Sequence, residues 1–331
     1  MNKKINYSDK IFIAGSSGMV GSAVKKTLLN YGYGANEKNK LLTPSRKELN
    51  LLNLEDVRNW FLEKRPSVVI IAAAKVGGIY ANSSSPADFL IENLRIQNNI
   101  IESAWKNDVK RLLFLGSSCI YPKFSKQPIK EEELLKKDLE STNEYYAIAK
   151  IAGIKLCQAL RMQYQFDAIS LMPTNLYGPN DNYHPQNSHV IAALIRKFLT
   201  AKSKNKEYVT CWGSGSVYRE FMHVDDLADA IVYCLENWDP SCKSAPKDIN
   251  GNPLNHLNIG TGKDITIKEL AMKIAQITDF KGQLFWDTSK PEGTPKKLLD
   301  VSRINNMGWV SKTDLDNGLK TTIQKLDVKF F

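Results

Sequence analysis

The chain has 331 residues, 43% hydrophobic and 24% charged, the balance of a globular protein with one large domain or two closely packed ones. No apolar run approaches the roughly 18 residues that suggest a membrane span, and the apolar run near the basic N-terminus is too short for a signal peptide, so no membrane association is expected. The formal charge of +10 comes from lysines spread along the whole chain. No recognition motif accompanies them, so they read as a solvated surface and not as a nucleic-acid interface.

The five cysteines (Cys119, Cys157, Cys211, Cys234 and Cys242) form no CxxC pair and no even framework. Reduced thiols in a cytoplasm are expected, without disulfides. The four histidines are too scattered for a metal cage, so no metal is assigned.

Residues 1–9 read as a short solvated lead-in. KIFIAG (10–15) is a strand and 19–32 the helix after it. LLTP (41–44) reads as a second strand, 54–65 as a helix and VVIIAAA (68–74) as a buried strand. A long helix covers 86–108, RLLFLGSS (111–118) is another strand, 145–165 is strongly helical, and AISLMP (168–173) closes the series. Strands alternating with helices predict an α/β fold with a Rossmann-type doubly wound parallel sheet. Beyond about residue 175 the pattern loosens. Residues 176–189 read as a loop, a helix begins at 189, 202–207 is a solvated charge run, and 237–255 is a loop or insertion.

Gly15, Gly18 and Gly21 form G-x-x-G-x-x-G between the first strand and its helix. Such glycines allow a tight turn and let a helix N-terminus face a pyrophosphate, although a purely structural turn uses the same residues. NAD binders usually carry an acid at the end of the second strand. Here Ser45, Arg46 and Lys47 stand in that region. Arg46 can pair with a ribose 2′-phosphate, which favours NADP(H); as an alternative it is a solvated loop charge.

Ser117, Ser118 and Cys119 follow a strand whose end faces the ligand crevice of such a sheet. Tyr146 and Lys150 stand four apart on one helical face; Tyr145, five before Lys150, matches that face less well. Reduction of a ketone by hydride leaves an alkoxide that needs a proton. A tyrosine with a lowered pKa can supply it, a nearby ammonium can do the lowering, and a serine can polarise the oxygen.

At this point the residues are recognisable. IAGSSGMVGSA, AAAKVGGIYAN, LLFLGSSCIYPK, NEYYAIAKIAGIKLC, MPTNLYGPNDNYHPQNSHVIAALIRKF, WGSGSVYREFMHVDD and DTSKPEGTPKKLLD resemble the extended short-chain dehydrogenase family, and within it the GDP-L-fucose synthases, over nearly the whole chain. The resemblance implies a homodimer that takes a GDP-linked keto-sugar, GDP-4-keto-6-deoxy-D-mannose, inverts two carbons and reduces the ketone with NADPH. It implies an NADP-binding domain over 1–175, with returning segments near 217–240. A smaller α/β substrate-binding domain comes mainly from 176–216 and 241–331.

Carried over by that resemblance, Ser117, Tyr146 and Lys150 are the hydride-transfer triad, and Cys119 and His189 the epimerisation base and acid. Gly15, Ser16, Ser17, Gly18, Met19, Val20, Gly21, Arg46, Leu115, Gly116, Ser117, Ser118, Lys150, Pro173, Thr174, Asn175, Leu176 and His189 match cofactor contacts. Lys197, Trp212, Arg219 and Asp287 match substrate contacts. Lys197 stands where the family has an arginine, and Val217 and Tyr218 lie in a variable stretch. These departures leave open a 4-keto reductase of another GDP-sugar, such as a heptose, with epimerisation lost or done elsewhere. A non-catalytic NADP-binding scaffold is the reading from another class.

Overall fold

In the computed structural model, residues 3–36 and 40–326 are described. The main sheet is parallel throughout: β1 (Ile11–Ala14), β2 (Val68–Ile71), β3 (Arg111–Leu115), β4 (Ala168–Pro173) and β8 (His256–Ile259), in the spatial order β1-β2-β3-β4-β8. Every residue of these strands is buried, as expected when helices cover both faces. The edge strand β8 comes from the stretch assigned mainly to the substrate region.

The segment 41–44 does not form a strand. It contributes one bridge, Leu42 to Phe12, with Leu42 bonded to the backbone of Ile11 and Ile13. Pro44 has no N–H to donate and restrains Thr43, so the ladder cannot continue.

Five helices brace this sheet: α1 (Met19–Asn30), α2 (Leu54–Lys64), α4 (Pro86–Lys106), α5 (Glu144–Tyr164) and α7 (Val224–Asn237). A short α3 (Ile79–Ser84), not foreseen from the periodicity, precedes α4. Local chemistry explains the boundaries. Asn53 caps α2 by accepting from the N–H groups of Glu55 and Asp56, and Arg65 ends it in the left-handed region at φ 46°. Pro86 opens α4 at a first-turn position where its missing N–H costs nothing. α1 packs on α7, and α4 on α5.

The second core is smaller. It gathers Ile195 and Phe198 of α6 (Val190–Ser203), Leu270 and Ile274 of α8 (Ile267–Ile277), and Leu319 of α10 (Leu315–Gln324). A two-stranded parallel pair, β6 (Tyr208–Trp212) and β10 (Gln283–Asp287), lies beside it. A second small sheet is built from β5 (Asn175–Tyr177), β7 (Tyr218–His223), β9 (Asp264–Thr266) and β11 (Lys296–Lys297). A capping box between Thr266 and Glu269 starts α8. The short α9 (Ser302–Asn306) returns to the main core through Ile304.

Of the lead-in, residues 3–9 are only partly solvated: Lys3, Asn6, Tyr7 and Ser8 are exposed, whereas Ile5 and Asp9 are buried. Ile5 is 1% exposed, and Lys3 and Lys4 pair with Glu236 and Asp239 at the end of α7. The apolar Ile5 and the two ion pairs beside it together hold this part of the segment on the core. Among the described residues no helix is long and apolar enough to cross a membrane.

The closest approach in the main core is made by glycine. A Cβ on Gly21 would overlap the carbonyl oxygen of Gly15, and one on Gly15, at φ +84°, would lie 2.7 Å from the backbone nitrogen of Ala73. Gly21→Ala is therefore expected to push α1 off β1 and cost about 3 kcal/mol, read as a lower urea midpoint at unchanged slope.

Candidate active site

The glycine turn leaves its helix uncapped. Gly18, the N-cap of α1, makes no side-chain capping bond, and the first turn holds no acid. In contrast α7 and α8 are capped by His223 and Thr266. The free N–H groups at Met19, Val20 and Gly21, with exposed Ser17 and Gly18 in front, fit a dinucleotide pyrophosphate. Ser16 completes the turn. Arg46 is exposed and has no hydrogen bond or ion pair among the described residues. The nearby carboxylate of Glu48 is engaged with the N–H of Ser45, 2.7 Å away.

Four parallel strand ends meet next to this turn. β3 runs out through Leu115 and Gly116 into a tight turn at Ser118–Ile120, where Ser117 Oγ accepts from the N–H of Cys119 at 3.2 Å and Ser118 is buried. A Cβ on Gly116 would collide with Met172 of β4, so only glycine lets the two strand ends lie this close. β4 ends at Pro173. Thr174 and Asn175 then anchor their side chains on the carbonyl of Glu220, at 3.2 and 2.8 Å, and Leu176 continues into β5.

α5 brings Tyr146 and Lys150 to the end of β3. Lys150 is 4% exposed and donates to the carbonyl of Leu115 at 2.8 Å, with its Nζ 4.8 Å from the Phe114 ring centre and 5.9 Å from that of Tyr146. Tyr146 lies near enough to Ser117 for that hydroxyl to act on its phenol, and it meets Phe89 edge-on at 6.4 Å. Tyr145 is 45% exposed, which excludes it as the partner of this lysine.

Cys119 is half-buried. The side-chain nitrogens of Asn143 and Lys297 both approach its Sγ to 3.6 Å. Arg219 lies close enough for its charge to interact with Cys119, and it donates to the carbonyls of Tyr218 and Glu292 at 2.7 and 2.8 Å. His189 is the N-cap of α6; its carbonyl accepts from the N–H of Ala193 at 2.9 Å, and its side chain makes no capping bond. Two residues before it, the carbonyl of Asn187 accepts from the N–H of Gly78, and the neighbouring Ile79 reaches the same glycine, Gly293, that Arg219 borders. These contacts link the segment that leads to His189 with the surroundings of Arg219.

The substrate candidates form a second group. Trp212 is 43% exposed, with Lys197 Nζ 5.4 Å and Lys290 Nζ 5.8 Å from its ring centre. Asp287 is the register partner of Trp212, and its carboxylate accepts from Ser289. Lys197 is tied to the carbonyl of Thr210 at 2.8 Å.

Residues 11–250 match the model of the NAD dependent epimerase/dehydratase family. The chain belongs to that family. GDP-L-fucose synthase 1 of Arabidopsis thaliana is 52% identical over 95% of this chain and 92% of its own length. GDP-L-fucose synthase of Escherichia coli K12 is 50% identical over 95% of both chains. A solved GDP-mannoheptose C4 reductase of Campylobacter jejuni with NADP bound superposes with a TM-score of 0.85 at 38% identity, over 97% of this chain and 98% of that one. The sequence resemblance and the Rossmann-type fold are both borne out.

One expectation for this epimerase/dehydratase chain needs correction. The phenol of Tyr146 is not pulled down by the lysine. Burial pushes it up, the charge of Cys119 adds to that, and the Ser117 hydrogen bond opposes it. Burial also lowers Lys150, to about 7. Desolvation outweighs the mutual attraction because both groups sit against Phe89 and Phe114. His189 keeps open surface, yet the walls around its ring lower its pKa too.

Asn143, Lys290 and Lys297 were passed over in the sequence. Asn143 had a usable signal, since it stands one turn before Tyr146 at the start of α5. Lys297 had none, because 178 residues separate it from Cys119.

Lys150 gives a pH signature. Between about 7 and its ordinary 10.5 the unfolded chain holds the extra proton, so the group's contribution to stability rises with pH across that window. Relative to Lys150→Met, the cofactor-free protein should gain about 1.4 kcal/mol per pH unit between about pH 7.5 and 9.5, measured by urea unfolding. Parallel pH profiles for the two proteins would refute the buried placement.

Proposed function

We propose that this chain is an NADPH-dependent epimerase and reductase that converts GDP-4-keto-6-deoxy-D-mannose to GDP-L-fucose. The observation that carries the reading is buried Lys150, bonded to the Leu115 carbonyl and 5.9 Å from the Tyr146 ring centre, beside an uncapped glycine turn, in a chain about half identical to named GDP-L-fucose synthases.

The ketone at carbon 4 acidifies the protons on carbons 3 and 5. Inversion requires a base on one face of the sugar and an acid on the other. Cys119, its sulfur fixed by Asn143 and Lys297, takes one face, and His189 takes the other. NADPH, when bound, supplies the hydride for carbon 4. Ser117 Oγ hydrogen-bonds the ketone oxygen and Tyr146 delivers the proton to it. A phenol raised by burial is fully protonated near neutral pH and so stands ready as the donor. Lys150, lowered to about 7, exchanges its proton readily in the same range and holds its place through the Leu115 carbonyl. Residues 15–21, Arg46, 115–118, 173–176 and His189 receive the cofactor. Lys197, Trp212, Arg219 and Asp287 receive the GDP portion. The cofactor role falls mainly to 1–175 and the substrate role mainly to the later segments, with β8 an exception in the main sheet.

With NADPH and that keto-sugar the protein should oxidise NADPH. Tyr146→Phe should lower kcat at least about a hundredfold. It should leave intact the uptake of solvent deuterium into carbons 3 and 5, whereas Cys119→Ala should abolish that uptake. No NADPH oxidation would overturn the reading. Oxidation without deuterium uptake would establish the second one, a pure GDP-keto-sugar reductase, which the likeness to the heptose reductase and the backbone-tied Lys197 favour. Neither activity would leave the scaffold.

We further infer a homodimer through α4 and α5, in a reducing cytoplasm suited to five free cysteines. Ile91, Tyr145 and Ile148 on these helices are 40–46% exposed, an apolar surface that a second copy would cover. Ile148→Glu should yield a monomer by light scattering, and an unchanged mass would move the interface elsewhere.

A further inference from the structure

Glu220 sits in the middle of β7 and is fully buried, with no ion pair among the described residues. One carboxylate oxygen accepts from the N–H groups of Thr261 and Gly262, at 2.6 and 2.8 Å. The other accepts from the N–H of Leu299 at 2.9 Å. Burial raises its pKa and these three donors oppose that rise. The group has no slack, because a Cβ on Gly260 would overlap its Oε1.

The segments it holds all reach the site. Leu299 lies two residues after Lys297, whose ammonium meets Cys119. Lys297 is in turn the register partner of Arg219, the residue before Glu220. On the other side, the main-chain carbonyl of Glu220 receives the side chains of Thr174 and Asn175. One residue therefore joins the strand that carries Lys297, the strand that carries Arg219, and the segment expected to contact the cofactor. The joins differ in kind: the side chain fixes the sugar side, and the main chain fixes the cofactor side.

We propose that Glu220 is a positioning residue of the reaction, and that its carboxylate sets the spacing between Arg219 and Lys297 around Cys119. The inference rests on the reading above for the identity of the ligands, but its test does not need turnover. A glutamine keeps one acceptor oxygen and turns an NH2 group toward a backbone N–H, so it cannot satisfy both sides of the site. An aspartate keeps both oxygens and draws them back by one methylene.

GDP and NADPH binding are measured separately by calorimetry on wild type, Glu220→Gln and Glu220→Asp, with thermal unfolding recorded for each. Both variants should weaken GDP about tenfold and leave NADPH within twofold, since the main-chain anchor of Thr174 and Asn175 is untouched. The Michaelis constant for the keto-sugar should rise in step with the GDP loss. A lower melting temperature with GDP and NADPH affinities both unchanged, or both weakened equally, would overturn the proposal and leave Glu220 a purely structural group. Should the glutamine variant fail to fold, the aspartate variant decides alone. Tyr146→Phe separates the two levels of the argument, because its GDP affinity should stay at wild type even if the assigned reaction is wrong.

Discussion

Lys150 donates one hydrogen bond to the carbonyl of Leu115, and the reductive half of the site follows from that anchor. It pins α5 against the end of β3. Tyr146, one helical turn earlier, then has no choice of position: it falls beside Ser117, two residues beyond the accepting carbonyl. Gly153, one turn later, allows the approach, since a Cβ there would lie 2.6 Å from the Phe114 ring. Each element is fixed by covalent nearness to another. That is why a four-residue spacing in the sequence carries so much of the chemistry.

The same burial has an electrostatic consequence. Placing a lysine at 4% exposure against two aromatic rings disfavours its charge, and placing a phenol beside Phe89 disfavours the phenolate. The ligand-free pair is therefore set toward its neutral forms, a protonated donor over a near-neutral amine. Expectation from sequence had the ammonium dominating, because two residues four apart reveal proximity and say nothing of solvent. Desolvation depends on what surrounds the pair in three dimensions, and here that is decided by Phe89 and Phe114, from two other elements.

The legible parts of the fold share one property: their signal is local. β1 through β4 read as continuous apolar runs, and α4 and α5 as long periodic stretches with Pro86 and Asn143 at their starts. What escaped was set by distant partners or by single residues. LLTP has a strand's composition, yet Pro44 limits it to one bridge. Ile5 looked like part of a charged leader and is buried because α7 offers Glu236 and Asp239 to the lysines beside it. β8 completes the main sheet after a polar excursion of about twenty residues, which no periodicity could have assigned to β4. Asn143, Lys297 and Glu220 act through contacts that only the folded chain makes.

This contrast separates the two halves of the site. The reducing half is written into one strand end and one helix, so it tolerates change elsewhere. The cluster around Cys119 draws on the β3 turn, the start of α5, β7 and the segment 296–299 that opens with β11, and its register is kept by buried polar contacts such as those of Glu220. Partly satisfied polar networks are costly, so small shifts in any one of these segments act on the sulfur and on Arg219 together. Sugar selectivity and epimerisation are therefore the properties a fold of this kind can lose first, while the serine, tyrosine and lysine stay in place. Lys197, held by the Thr210 carbonyl beside Trp212, lies on that more changeable side. A single ammonium there offers a point charge where a guanidinium would offer a planar fork, a looser constraint on any anion that it meets.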